Sequence, residues 1–187
     1  MDSNKVIKAI LSLLPGAKCT YWETKYNGDQ WSNPIDGLEW FDDRQKPTWK
    51  EIEDQIIIND LFEAKENKLK ELNNYYDSDE CWKFKVVAGN ASITKTCDWF
   101  GRMIPACAGQ QLILFTDSGQ TVSFNLSQEI GQKLNYRIQG VVSFQVKQAK
   151  LNCENLINAC QSEEALNLID IKAELGVIPR VIDLTTL

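Results

Sequence analysis

Gln110-Gln111-Leu112-Ile113-Leu114-Phe115-Thr116 runs into Asp117-Ser118-Gly119 and then Gln120-Thr121-Val122-Ser123-Phe124, and this stretch decides the fold class. The first run is apolar, β-favouring and free of proline. The second alternates, with Val122 and Phe124 on one face and Thr121 and Ser123 on the other. Two such runs joined by three residues ending in glycine predict a β-hairpin, with Gly119 supplying a positive φ. On the C-terminal side, Ser127 or Asn125 can cap a helix, its side-chain oxygen taking an orphan amide of the first turn. Ile130, Leu134, Ile138, Val141 or Val142, and Gln145 then recur at helical spacing, and the pattern continues through Ala149, Leu151, Leu156 and Ile157. This is one long helix or two helices with a soft break, and Gly140 and residues 152–155 are the weak points. A further helix starts at Ser162 with Glu163 and Glu164 at its positive end. It carries Leu166, Leu168 and Ile169 and stops near Gly176 and Pro179.

On the N-terminal side the same rules give a second set of elements. Residues 3–14 read as a short helix capped by Asp2 or Ser3, with Val6, Ile7, Ile10, Leu11 and Leu14 on one stripe and Pro15-Gly16 ending it. Lys18-Cys19-Thr20-Tyr21-Trp22 and Leu38-Glu39-Trp40-Phe41 read as strands, and Asn27-Gly28-Asp29 as a turn. Thr48 and Glu51 have capping-box spacing. The long amphipathic helix they open reaches about Tyr76, with Ile52, Ile56, Ile58, Phe62, Leu69, Leu72 and Tyr76 as its apolar positions. A helix of that length either packs on later helices or self-associates as a short coiled coil, which makes the chain a homo-oligomer. Residues 73–80 are polar and acidic and read as a solvated linker; Asp77, Asp79 and Glu80 lack the spacing of a calcium loop. Cys81-Trp82-Lys83-Phe84-Lys85-Val86-Val87 reads as a strand ended by Gly89-Asn90. Residues 93–108 read as a helix capped by Thr94 and kinked or ended by Pro105. The fold class is therefore α+β: a Trp-rich N-terminal module with its helix (1–50), a long helix and acidic linker (51–79), and a C-terminal domain with a β-hairpin packed against helices (80–187).

Composition bounds function. The chain has 187 residues, 43% hydrophobic content and a net charge of −6. That supports a real core and is a poor footprint for nucleic acid, which wants a clustered basic face. No apolar run is long enough to span a membrane, and no signal peptide is read. The six cysteines read as reduced thiols. There is no histidine, which removes Ser-His-Asp, Cys-His and most zinc-hydrolase schemes at once. No catalytic, cofactor-binding or metal residue is assigned, and no cofactor is expected. The remaining enzymatic alternative is a carboxylate glycosidase, with Glu23, Asp29, Asp36, Glu39 and Asp42 lying among Trp22, Trp31, Trp40 and Trp49. Those tryptophans read as a core of large rings or as a carbohydrate-stacking platform, the core being favoured because each ring buries much area. An acidic inhibitor mimicking nucleic acid is disfavoured, because the acids are interspersed with lysines.

Two groups of residues resemble tailed-bacteriophage proteins. One is Ala9-Ile10-Leu11-Ser12-Leu13-Leu14-Pro15-Gly16-Ala17, then Gly37-Leu38-Glu39-Trp40, then Lys46-Pro47-Thr48 and Glu51-Ile52. It is similar to short modules of tail-fibre and tail-associated proteins, with the tryptophan of Cys19-Thr20-Tyr21-Trp22 placed later after Pro-Gly-Ala. The other is the half from Lys85 onward, closing in residues 156–170 on Leu156-Ile157, Glu163-Glu164-Ala165-Leu166 and Ile169-Asp170. It resembles an uncharacterised domain of phage and prophage tail-fibre proteins. The resemblance implies a structural or accessory tail component (a fibre, fibre connector or baseplate-proximal subunit) whose partners are other tail or fibre subunits, made in the host cytoplasm and carried in the virion. An assembly chaperone absent from the virion is the alternative. The family carries no assigned active site, so none is transferred.

Overall fold

Asp2 opens the first helix as expected: its carboxylate accepts the Asn4 amide at 2.8 Å and caps α1, Ser3–Leu13. The structure is a computed structural model that describes residues 2–25, 28, 29, 31, 33–107, 109, 111–176 and 180–187. The expected positions Asn27, Gln110 and Pro179 fall outside these residues, as do the side chains of Pro105, Cys107 and Val141. The chain divides into two compact units, Met1–Glu66 and Asn67–Leu187. The division falls inside the long helix, whereas composition placed the joints at residues 50 and 79.

In the first unit, α1 turns Val6, Ala9 and Ile10 inward. Leu11, expected on the buried stripe, is exposed, and Ala9 takes the inner position. β1 (Cys19–Tyr21) pairs antiparallel with β2 (Leu38–Trp40), Tyr21 opposite Leu38. A 3-10 turn, Pro34–Gly37, leads into β2 and is capped by Asn33. The helix α2, Trp49–Tyr76, starts at the predicted capping box: Thr48 N–H donates to Glu51 Oε2 at 2.7 Å, and Glu51 N–H donates to Thr48 Oγ1 at 3.3 Å. Val6, Ala9, Ile10, Tyr21, Leu38, Ile52 and Ile56 form the core, with Trp40 and Trp49 packed against its edge. Each fully buried aliphatic side chain among them contributes about 1.5–3 kcal/mol.

The second unit is organised on a five-stranded sheet of order β6-β5-β4-β3-β7: β3 is Lys83–Ala88, β4 Ala91–Thr96, β5 Gln111–Thr116, β6 Thr121–Asn125 and β7 Val181–Asp183. The predicted hairpin is β5–β6, in the register Leu114 opposite Val122, with Gly119 at φ 79°. Residues 93–96 are not helical, contrary to expectation. They belong to β4, which pairs with β3 across the Gly89-Asn90 turn. Ile93, Thr94 and Thr96 are β-branched and suit a pleated surface. The helix α3 therefore starts later, at Cys97–Cys107, and its cap moves to Thr96, whose Oγ1 accepts the Trp99 amide at 3.3 Å. β7 was not anticipated. It lies parallel to β3, and Arg180 pins its entrance: one guanidinium nitrogen donates to Cys81 O, the other to Leu175 O at 2.8 Å.

The helical run after the hairpin is α4 (Gln128–Asn135), a π-helical turn (Tyr136–Val142) and α5 (Ser143–Ala159). Ser127 caps it. The break is at the segment holding Gly140, while residues 152–155 stay helical. Leu134, Ile138, Val142 and Val146 are all buried, four residues apart; Gln145 is exposed. Four residues overshoot one α turn by about 40°. The wider turn, in which Ser143 N–H donates to Ile138 O, takes that overshoot back and keeps the row on the core side. The last predicted helix is two: α6 (Glu163–Asn167) capped by Ser162, and α7 (Ile171–Gly176), whose first amides bond to Asp170. The C-terminal part of α2 belongs to this unit, with Leu72 buried and Lys150 of α5 4.8 Å from the Tyr76 ring centre.

Candidate functional site

The four tryptophans of the first unit have two fates. Trp40 and Trp49 pack on the core, Trp49 stacked on Tyr21 at 6.0 Å. Trp22 and Trp31 instead line a pocket of about 190 Å³ with Thr24, Lys25, Asp36 and Glu39. Its construction is local. Trp31 Nε1–H donates to Trp22 O at 2.9 Å, and Trp22 N–H donates to Gly37 O at 2.9 Å. A Cβ on Gly37 would lie 2.3 Å from Trp22 O and 2.8 Å from Trp31 Nε1, so only glycine lets these three segments close. Lys25 Nζ sits 5.8 Å from the Trp31 ring centre. Indole faces, two carboxylates, an ammonium and a hydroxyl around so small a space suit one polar ring, stacked on its apolar face and hydrogen-bonded at its edge.

The five acids considered as glycosidase groups are thus separated. Asp36 and Glu39 reach the pocket. Glu23 accepts from Ser3 N–H and Oγ–H at 2.7 and 3.1 Å, at the start of α1. Asp42 is gripped by Arg44 Nε–H and Nη2–H at 2.7 and 2.8 Å, and these bonds hold its carboxyl well below the usual range. The backbone carbonyl of Asp29 accepts from Lys25 N–H at 2.8 Å. The residues brought together are therefore an aromatic pair with two of the five acids.

The second unit has a larger, open cleft of about 850 Å³ between the start of α3 and the π-helical turn, lined by Asp79, Trp82, Asp98, Arg102, Gln139 and Lys147 among others. Gln139 Nε2–H donates to Cys97 O at 2.8 Å and closes over Gly101, where a Cβ would lie 2.7 Å from that nitrogen. Asp98 pairs with Arg102 at 2.7 Å on the surface of α3. Burial pushes the Cys97 thiol up, as it does those of Cys81 and Cys153, so the cleft offers a protonated thiol rather than a nucleophile. No motif announces this cleft: it depends on Gly101 and Gln139, distant in sequence, and on a π turn that periodicity does not reveal.

A third feature is a surface. α2 buries Ile52 and Ile56 in the first unit but leaves Ile57, Ile58 and Phe62 exposed, Phe62 at 62%. Ile58 and Phe62 are one turn apart and share a face. Beside them, Lys5 and Lys8 of α1 pair with Asp60 and Glu63 at 2.7 and 3.2 Å. Among the described residues no three cysteine, aspartate or glutamate side chains converge as metal ligands, and no helix is long and apolar enough to cross a membrane. No family model, curated protein or solved structure matches the chain.

Proposed function

We propose that this chain is a structural or accessory component of a bacteriophage tail, acting through protein–protein contacts and not through catalysis. The observation that carries the contact role is the exposed apolar face of Ile58 and Phe62, with exposed Ile57 to one side, on a long helix whose neighbouring face is already used. Apolar side chains of that size grouped on one face are typical of docking surfaces. The tail assignment rests on the resemblance, and the structure gives the matching residues joint work. Gly37 closes the Trp22–Trp31 seat, Trp40 Nε1–H donates to Arg44 O at 2.9 Å, Lys46 Nζ donates to Leu38 O at 2.9 Å, and Thr48 with Glu51 opens α2. Residues of a shared module are expected at such joints. The partners are other tail or fibre subunits, and the place is the virion.

Mass spectrometry of purified particles tests this. Presence at a fixed ratio to a known tail subunit supports the structural role. Abundance in the lysate with absence from particles replaces it with an assembly chaperone, and absence of any particle dependence overturns both.

The pocket favours a second reading beside the first, the non-catalytic binding of a sugar ring between Trp22 and Trp31. A panel of monosaccharides titrated against tryptophan fluorescence tests it. Saturable quenching lost in Trp22→Ala supports it; unchanged emission across the panel ends it.

A further inference from the structure

The two edges of the five-stranded sheet are built differently. β7 is three residues long, carries Asp183, is preceded by Arg180 and runs directly into a 3-10 turn, Leu184–Thr186. It is a blunted edge of the kind that resists pairing. β6 has no such protection. Thr121-Val122-Ser123-Phe124-Asn125 has no charge, proline or bulge, and no charged residue falls between Asp117 and Glu129 in a chain that is 25% charged. Thr116 N–H donates to Gln120 O at 2.9 Å, so Gln120, Val122 and Phe124 face β5 in the ladder. By alternation the amides and carbonyls of Thr121, Ser123 and Asn125 point away from the sheet. Val122 and Phe124 lie on the same side as the buried Leu112 and Leu114, yet Val122 is 37% exposed and Phe124 only half-buried.

We propose that β6 pairs antiparallel with β6 of a second copy of this chain, about a two-fold axis through Ser123. The strand is self-complementary in that register. Ser123 meets Ser123 of the second copy and exchanges two hydrogen bonds with it. Thr121 meets Asn125 on the outer side and exchanges two more at each end; Asn125 O already accepts from Ser127 N–H at 3.2 Å and retains a second lone pair. Val122 meets Phe124 at the closely spaced, non-hydrogen-bonded positions, a β-branched–aromatic pair on the apolar face. Neutrality is what selects a second copy over a foreign strand. On the two-fold axis residue 123 meets itself, so a charge there would face its own sign, and Ser123 carries none; the pairs Thr121–Asn125 and Val122–Phe124 are neutral as well, whereas a foreign partner of an acidic chain is recognised best through complementary charges. The result is a continuous sheet through both copies. A ladder of five residues is a small interface, so the dimer is reversible.

Sedimentation of the full chain over a wide concentration range, with cross-linking, tests this. The wild type is expected to pass reversibly from one chain to two. Ser123→Lys, which sets two ammonium groups against each other without altering the backbone, is expected to weaken dimerisation about tenfold or more with unchanged far-UV circular dichroism and melting temperature. Ser123→Cys is expected to form a covalent dimer under mild oxidation, because only this register sets residue 123 opposite itself; the wild type is the control for the native thiols. Failure of Ser123→Cys to cross-link overturns the proposal, as does dimerisation that Ser123→Lys leaves unchanged. Pairing of β6 with a different protein from particles, while the purified chain stays monomeric and Ser123→Cys stays uncoupled, replaces the second copy with that partner.

Discussion

The two concavities are closed by the same device and differ in how much it can yield. In the first unit a side-chain N–H of Trp31 crosses a glycine, Gly37, to reach Trp22 O; in the second a side-chain N–H of Gln139 crosses Gly101 to reach Cys97 O. At Gly37 an added methyl would meet a backbone oxygen at 2.3 Å as well as the indole. At Gly101 its contacts are with atoms of the Gln139 side chain alone. Backbone tied at the end of a two-stranded sheet by the Trp22 N–H bond to Gly37 O has little room to retreat, while an amide at the end of a rotatable chain can. A close approach is therefore rigid or soft according to what lies across it, and the distance alone does not say which.

The largest effect should come where the seat is rigid. Gly37→Ala is expected to destabilise the first unit by about 3 kcal/mol, read as an early loss of tryptophan fluorescence in urea; a wild-type midpoint would break the comparison. Arg180→Met, in the second unit, should cost about 2 kcal/mol, because a cation loses bonds to two carbonyls, Cys81 O and Leu175 O. Followed by Trp82 and Trp99 in a variant lacking the other tryptophans, its effect would show how firmly β7 is held. Thr48→Ala should cost about 1 kcal/mol through the capping box, measured as a fall in helical circular dichroism and in the urea midpoint. Gly101→Ala should lie within about 0.5 kcal/mol of the wild type, since a better helix residue offsets one lost hydrogen bond, each about 1 kcal/mol. A loss as large as that of Gly37→Ala would show that Gln139 cannot move.

The smallest contribution expected is electrostatic. Asp42, held by Arg44, and Glu51, held by Thr48, both titrate lower when folded than when unfolded. Their stabilisation is fully present above the unfolded value of about 4 and is lost as pH falls through the lower folded values. Acid titration of the urea midpoint should fall less steeply in Asp42→Asn than in the wild type. Equal slopes would remove Asp42 from the account.

What could be read in advance was local chemistry. The hairpin, the capping box, the caps at Asp2 and Ser127 and the helix start at Ser162 each need only a few neighbouring residues, and each is present. Non-local pairing could not be read in the same way. β7 is three residues long and exists because β3, far away in sequence, offers an edge. Residues 93–96 join a sheet only once the turn before them has formed. Gln145 was expected inside and Val146 is inside, since counting at 3.6 residues per turn slips by one across a π turn. Trp22, Trp31, Trp40 and Trp49 are evenly spaced and look alike as letters. Two face the core and two face a pocket, because Gly37 stands beside one pair only.

The widened turn at Tyr136–Val142 also makes the length of this helix a matter of phase. Losing one residue there would let the rod close up as an ordinary α-helix, with Leu134 and Val146 eleven residues apart, about 20° past three full turns. Val146, Cys153 and Ile157 would keep to the core side. A residue lost from the regular turns of α5 would instead rotate all that follows it by about 100°. For this stretch the damage done by a deleted codon is set by where it falls, and the widened turn is a place that can absorb it.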